Sequence, residues 1–208
     1  MPTFTPIKTA LEAFKQGQML ILADDEHREQ EGDLIIAAEK ITPTAINFMA
    51  KYARGLICLA VAETIIQRLQ IPLMPRRHEY PNQAAFTVSI EAAHGVTTGV
   101  SAHDRAFTIQ LAVNPNSTPQ DIAMPGHVFP LMARVGGVLE RAGHTEGSVD
   151  LAMLAGLQPA AVICEIMNDD GSMARLNDLK NFAKHHDIML VSINELIAYR
   201  QEQIACKS

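Results

Sequence analysis

The chain has 208 residues, of which 48% are hydrophobic and 19% are charged, which is typical of one globular domain with a sizeable core. Its formal net charge of -6 argues against a nucleic-acid partner, because the sequence has no basic excess with which to neutralise phosphates. No apolar run is long enough to span a bilayer, and the N-terminus lacks the pattern of a secretory signal, so we expect no membrane partner and an unprocessed N-terminus.

Short apolar runs alternate with segments of helical periodicity along the chain. Strands are predicted at 19–23, 34–38, 56–62, 85–91, 160–166 and 188–193. Helices with recognisable starts are predicted from Thr5-Pro6 to Gly17, from Thr42-Pro43 to Gly55, from Ser101 (a capping box with Asp104) to Leu111, after the cap Asn177, and over 195–203. The alternation predicts an α/β (α+β) fold, a single-domain layered α/β/α sandwich with a mixed sheet.

One long segment, Pro72 to Gln83, is predicted to be irregular because prolines and polar residues dominate it. A loop of this length is either an ordinary surface connection or a functional one, and the sequence supports both interpretations.

The three cysteines, Cys58, Cys164 and Cys206, form no C-x-x-C pair, and their odd number does not indicate a disulfide framework. This usage favours a reducing, cytoplasmic location. Cys58 and Cys164 each lie within an apolar run, so we predict that they are buried hydrophobes without a catalytic role.

The densest chemical signal is the acidic segment DDEHREQEGD, residues 24–33, which lies between two predicted strands. It crowds six carboxylates with His27 and Arg28, and like charges at this spacing repel one another. Mg²⁺ prefers oxygen ligands and would neutralise the repulsion. The segment is therefore either a solvated acidic loop or part of a magnesium site.

A second cluster, RAGHTEGSVD at residues 141–150, runs from a glycine-bearing turn into a predicted helix. The unpaired N–H groups of a helix start attract anions, and Arg141 adds a bidentate donor for phosphate. The alternative is that Thr145 is a plain N-cap and His144 a surface residue.

Two further groups are candidates for proton transfer. His127 precedes an apolar strand in the segment PGHVFPL, and its alternative role is that of a structural histidine. Glu165 lies within the predicted strand 160–166, where burial of a lone carboxylate is costly unless the group has a partner or a function.

Seven segments resemble the 3,4-dihydroxy-2-butanone 4-phosphate synthase family in content, order and spacing, almost from end to end. They are DDEHREQEGD, FMAKYARGLICL, AFTVSIEA, GVTTGVSAHDRAFTI, PGHVFPL, GGVLERAGHTEGSVDLAMLAG and AVICEIMNDDGSMARLNDL. The resemblance implies an α/β homodimer with active sites near the subunit interface. It implies a lyase of riboflavin biosynthesis that converts D-ribulose 5-phosphate to L-3,4-dihydroxy-2-butanone 4-phosphate and formate. Residues 1–208 are then expected to be one synthase domain without a fused GTP cyclohydrolase domain.

The resemblance also implies roles for particular residues. The family's metal ligands match Glu29 and His144, with Mg²⁺ as the cofactor and Mn²⁺ compatible with an imidazole ligand. The pair regarded as essential for catalysis matches His127 and Glu165. The substrate-binding positions match Arg28, Glu29, Asp33, Arg141, Ala142, Gly143, His144, Thr145 and Glu165.

Some positions depart from the family's pattern. Met124 stands where an arginine commonly precedes Pro-Gly-His, Gln30 replaces an asparagine or aspartate, and Gly147-Ser148 replaces a more alanine-rich helix start. Two alternatives stay open: a paralogue that acts on another sugar phosphate by metal-assisted enolisation, and a non-catalytic sugar-phosphate-binding scaffold. A substrate panel separates the first from the synthase, and loss of the key groups would indicate the second.

Overall fold

The computed structural model describes residues 4–24, 28, 30–78 and 83–206. Eight strands in these residues form one mixed sheet, in the order β4-β6-β3-β7-β2-β1-β8, with β5 also paired to β6. The strands are β1 Leu20–Ala23, β2 Gly32–Ala37, β3 Cys58–Val61, β4 Ala85–Phe86, β5 Ile90–Ala92, β6 Ile122–Met132, β7 Ala160–Glu165 and β8 Met189–Ser192.

Seven α-helices in the same residues cover the two faces of the sheet. They are α1 Ile7–Lys15, α2 Pro43–Phe48, α3 Glu63–Leu69, α4 Ala102–Val113, α5 His144–Leu154, α6 Leu176–His186 and α7 Ile193–Ala205. Helices α1, α5 and α7 share one apolar core with the sheet, and α2, α3, α4 and α6 share the other. The predicted layered α/β/α architecture is confirmed.

The central strands are apolar on both faces because helices cover both. In β2, Leu34 belongs to one core and Ile35 to the other, as the two-residue period of a strand requires. A strand buried on both sides is a continuous apolar run, which explains why β1, β2, β7 and β8 were predictable from short windows.

Two local predictions were wrong in detail. The predicted strand 85–91 is two short strands, β4 and β5, and a register shift at Ile90/Glu91 interrupts the pairing with β6. Helix α6 begins at Leu176, with Arg175 as its N-cap, so Asn177 lies inside the helix and does not cap it. The segment predicted to be irregular, 72–83, contains no helix or strand in its described residues 72–78 and 83, where Leu73 forms an isolated antiparallel bridge with Thr87, and residues 79–82 lie outside the described residues.

The helix predicted from Thr42 changes character before it ends. Thr42 Oγ1 accepts a hydrogen bond from the Ala45 N–H at 3.1 Å, which confirms the cap of α2. After Phe48 the chain continues as a wider π-helical turn, Met49–Ala53. This turn ends at Arg54, which has a left-handed conformation. A π turn contains one residue more than an α-helical turn, and such turns are frequent at functional sites.

The predicted capping box of α4 is only half formed. Ser101 Oγ accepts from the Asp104 N–H at 3.0 Å, but the Asp104 carboxylate does not return the bond. Its Oδ2 instead accepts from the Thr97 hydroxyl at 2.8 Å and from the Thr97 and Gly99 N–H groups. Asp104 therefore ties the glycine-rich segment before α4 to the helix, and the hydrogen bond from the Thr97 hydroxyl leads the interactions that lower the pKa of Asp104.

This lowered pKa makes a pH-dependent stability contribution. Because the folded-state pKa of Asp104 lies below its ordinary value, the contribution is present at neutral pH and disappears as the pH falls through the lowered pKa. Asp104→Asn is expected to destabilise the protein in urea unfolding at about pH 7 and to destabilise it less at about pH 3, where the contribution has begun to decline. Glu12→Gln, on the exposed face of α1, controls for loss of a carboxylate. A destabilisation that is equal at both pH values would contradict the assignment.

No helix among residues 4–24, 28, 30–78 and 83–206 has the length and hydrophobicity needed to cross a membrane.

Candidate active site

A cavity of about 560 Å³ opens between α5 and the strands β2, β6 and β7. Seven of the residues predicted for the site line it: Arg28, Asp33, Arg141, Ala142, His144, Thr145 and Glu165. Gly143 lies within the same run as the N-cap of α5. Glu29 lies outside the described residues, and His127 does not line the cavity. Segments distant in the sequence thus converge on one cavity.

Two carboxylates lie side by side where β2 pairs with β7. Asp33 is the direct antiparallel partner of Glu165, so the two side chains project from the same face of the sheet. Adjacent like charges destabilise each other unless a cation or hydrogen-bond donors compensate them. His144 Nδ1 lies 3.8 Å from Asp33 Oδ1, and Arg28 lines the same cavity. The wall of the cavity therefore favours a bound cation.

Helix α5 starts in the cavity with its polar first turn buried. Gly143 is the N-cap, in an extended conformation and without a side-chain hydrogen bond to the helix. Thr145 lies one residue inside the helix and is buried, and His144 is only 8% exposed. The alternative in which Thr145 caps the helix and His144 is a surface residue is therefore wrong. First-turn N–H groups have no intrahelical acceptor and favour an anion.

Glu165 is held at the end of β7 by the connection between the π turn and β3. The Leu56 N–H donates to Glu165 Oε2 at 2.9 Å, and the Gly55 N–H donates to the Glu165 carbonyl at 3.1 Å. A Cβ on Gly55 would overlap the Glu165 carbonyl oxygen and would lie 2.6 Å from Oε2. Only glycine permits this approach. Glu165 is half-buried, so the expectation of a lone carboxylate inside a strand is corrected to a carboxylate at a strand end with a backbone donor.

Arg141 is fixed by a carboxylate of α5. Its Nη1 lies 2.6 Å from Glu146 Oε2, and the side chains of both residues are almost fully buried. The other oxygen, Oε1, accepts from the Arg134 N–H at 3.1 Å.

His127 lies in β6, outside the cavity, and its side chain is 48% exposed. Its Nδ1 is 3.0 Å from Glu91 Oε2, a contact whose donor depends on the tautomer of the imidazole. The register pairs Phe129 with Cys58 and Cys58 with Ile163, so His127 lies at the level of Glu165 but two strands away, roughly 10 Å along the hydrogen-bonding direction. Within one chain His127 and Glu165 are not in contact.

The two apolar-run cysteines are buried, as predicted. Desolvation raises the pKa of the Cys58 and Cys164 thiols, and the negative charges of Glu165 and Asp33 raise it further. A thiol held in its protonated form is a poor nucleophile.

Part of the predicted metal site cannot be placed. The described residues contain no cluster of three or more histidines, cysteines, aspartates or glutamates arranged to hold a metal ion. The predicted ligand Glu29 lies outside those residues, whereas the predicted ligand His144 lies in the cavity.

Sequence reasoning missed three supporting groups: Gly55, Glu91 and Glu146. Each of the three lies in a segment that resembles the family. Their contact partners are Glu165 for Gly55, His127 for Glu91, and Arg134 and Arg141 for Glu146, and only the tertiary fold brings each pair together. A glycine directly before an apolar strand is a weak signal of close backbone approach, and it is the signal that could have identified Gly55.

Fold and cavity together define an α/β protein in which carboxylates, arginines and the start of a helix line one cavity. A family profile described as 3,4-dihydroxy-2-butanone 4-phosphate synthase matches residues 8–199. The chain is 57% identical over 199 residues to riboflavin biosynthesis protein RibBA of Aquifex aeolicus, covering 95% of this chain and 49% of that protein. It is 51% identical over 196 residues to 3,4-dihydroxy-2-butanone 4-phosphate synthase of Vibrio cholerae, covering 94% of this chain and 90% of that protein.

A solved structure of 3,4-dihydroxy-2-butanone 4-phosphate synthase in complex with two magnesium ions superposes with a TM-score of 0.91. It is 39% identical, and the match covers 96% of this chain and 98% of that one. The chain spans about half the length of several curated relatives that it matches. It belongs to the 3,4-dihydroxy-2-butanone 4-phosphate synthase family.

Proposed function

We propose that this chain converts D-ribulose 5-phosphate to L-3,4-dihydroxy-2-butanone 4-phosphate and formate, with Mg²⁺ as the cofactor. The observation that carries the proposal is the convergence of Arg28, Asp33, Glu165 and the start of α5 on one cavity in a member of this family. The substrate has the same atoms as the two products combined, so the reaction needs no oxidant, reductant or second substrate.

The anion site is assigned to the phosphate of the substrate. The first turn of α5 offers backbone N–H groups, and Arg141 offers guanidinium N–H groups at the same wall of the cavity. Arg28 also lines the cavity, but it is paired with Asp24 at 2.7 Å. We therefore assign the phosphate to Arg141 and α5, and we assign Arg28 to the sugar hydroxyls.

The carboxylates are assigned to proton transfer. One oxygen of Glu165 is held by the Leu56 N–H, which fixes the plane of the carboxylate. Asp33 lies beside it, and Glu31 also lines the cavity, so acids and bases are available along the sugar chain. Held in this way, the groups meet the substrate with little reorganisation.

The donor set fits Mg²⁺, and it also accommodates Mn²⁺. His144 and Glu29 are the proposed ligands, and Asp33 Oδ1, which is 3.8 Å from His144 Nδ1, adds negative charge beside them. When bound, the metal supplies Lewis-acid stabilisation of negative charge that develops on substrate oxygens.

We also propose a homodimer in the reducing cytoplasm. Leu56 and Met124 are large apolar side chains that are 45% and 41% exposed. Leu56 bonds to Glu165 through its N–H, and Met124 lies three residues before the predicted catalytic residue His127. An interface along this edge would cover them and would bring His127 into an active site. A monomeric mass by light scattering would contradict the dimer.

The test of the activity is incubation with D-ribulose 5-phosphate and Mg²⁺, with formate and the four-carbon phosphate followed by NMR. Formation of both products, abolished by EDTA and restored by added Mg²⁺, is the expected result. Turnover of a different sugar phosphate in a substrate panel would support the paralogue instead. Binding of sugar phosphates without any turnover, in folded and metal-loaded protein, would support the scaffold.

A further inference from the structure

Glu146 lies behind the proposed phosphate site, and no role in the reaction has been assigned to it. It is 2% exposed and lies in the first turn of α5, directly after the cavity residues His144 and Thr145. Each of its two carboxylate oxygens makes a different contact. Oε1 accepts from the Arg134 N–H at 3.1 Å, and Oε2 lies 2.6 Å from Arg141 Nη1.

The path of Arg141 to Glu146 runs across Gly143. A Cβ on Gly143 would overlap Arg141 Nη1 and would lie 2.9 Å from Glu146 Oε2. The absence of a side chain at this N-cap is therefore what allows the guanidinium to fold back onto the helix. The segment that leads from Arg134 to Arg141 is also held at its start, because the Arg134 N–H donates to the other carboxylate oxygen of Glu146.

This arrangement changes what Arg141 contributes to the cavity. A buried carboxylate at 2.6 Å offsets much of the positive charge of the guanidinium, whose side chain is only 11% exposed. A paired, rigid guanidinium still presents N–H donors in a fixed plane, and geometry of this kind makes Arg different from Lys. Arg141 therefore contributes N–H donors of fixed orientation to the cavity more than it contributes net positive charge.

We propose that Glu146 is a positioning residue that fixes the Arg141 guanidinium for the phosphate of the substrate. The inference rests on the proposed function for the identity of the ligand. Its structural part, that Glu146 sets the conformation of Arg141, does not depend on the reaction.

The test is the substitution Glu146→Gln, which keeps the size of the side chain. An amide has one acceptor oxygen, so it can satisfy the Arg134 N–H or Arg141 but not both. We expect KM for D-ribulose 5-phosphate to rise about tenfold while kcat changes much less, because orientation of a binding group is lost. Combined with Arg141→Gln, the substitution should add little to the single effect of Arg141→Gln, since both remove one interaction.

Asp150→Asn is the matched control. Asp150 is a buried carboxylate on the same helix, it pairs with Arg200 at 2.5 Å, and it accepts from the Val138 N–H at 2.9 Å. It supports the same turn without contact to Arg141, so Asp150→Asn is expected to lower thermal stability and to leave KM within about twofold. If both variants raised KM equally, or if Glu146→Gln and Arg141→Gln were additive, Glu146 would be a structural residue only.

A second readout separates this inference from the proposed function. Nitrogen NMR of the Arg141 guanidinium should show hindered rotation of its Nη groups in wild type and in Asp150→Asn, and faster rotation in Glu146→Gln. Free rotation in wild type would overturn the inference even if the enzyme turns over ribulose 5-phosphate. Hindered rotation that is lost only in Glu146→Gln would support it even if that substrate is wrong.

Discussion

Gly55→Ala is expected to lower kcat by about 100-fold or more, because the carboxylate proposed for proton transfer would be displaced and a misplacement of about 1 Å is enough for a loss of that size. The added methyl group would overlap the backbone carbonyl of Glu165 and lie 2.6 Å from Oε2. A backbone atom cannot move aside as a flexible side chain can, so β7 or the π turn must shift. Steady-state kinetics with D-ribulose 5-phosphate would measure the loss.

Gly156→Ala is the control for this prediction. Gly156 follows α5 with a positive φ of 75°, and a Cβ there meets no atom within 4 Å. The substitution should cost about 1 kcal/mol of stability through backbone strain and leave kcat unchanged. A Gly55→Ala enzyme with the kcat of wild type would show that the position of Glu165 is not set by this contact.

His144→Asn is expected to lower kcat/KM by about 1000-fold or more and to weaken metal binding by at least about tenfold, since the imidazole is a proposed ligand. Asparagine is smaller than histidine but keeps a polar side chain in a residue that is 8% exposed, so the loss of activity should exceed any effect on folding. Mn²⁺ binding followed by electron paramagnetic resonance measures the affinity without requiring turnover.

His103→Ala is the companion variant for His144→Asn. The His103 side chain is 74% exposed at the start of α4, and it does not line the cavity. Its removal should change neither Mn²⁺ affinity nor kcat/KM. Retention of wild-type Mn²⁺ affinity in His144→Asn would refute the assignment of His144 as a ligand.

The fold was largely predictable because both faces of the sheet are covered. Strands such as β2 and β7 are continuous apolar runs, and a short window is enough to recognise them. The errors arise where pairing or capping depends on distant residues. The interruption between β4 and β5 follows from the register with β6. The N-cap of α6 is Arg175, although Asn177, two residues later, is a more common type of N-cap residue.

The membership of the site was also predictable, but its support was not. Sequence motifs identified Arg141, His144 and Glu165, and the fold brings all three to one cavity. The bridge from Glu146 to Arg134 and Arg141 depends on a turn that folds back across Gly143, and no short-range pattern encodes that path. His127 shows the converse: its motif was clear, but the single chain leaves it two strands from Glu165.

The π turn at Met49–Ala53 has a consequence for how this protein tolerates changes in length. Its additional residue lengthens the connection between α2 and β3. After Arg54, which has a left-handed conformation, Gly55 lies against Glu165 at the end of β7. Deleting one residue here would allow an ordinary α-helix, which is locally more favourable, but would retract Gly55 and Leu56 from Glu165. A surface helix often tolerates an insertion or deletion of one residue. Between Phe48 and Gly55 we expect such a change to lower activity, because it would move Gly55 and Leu56 relative to Glu165.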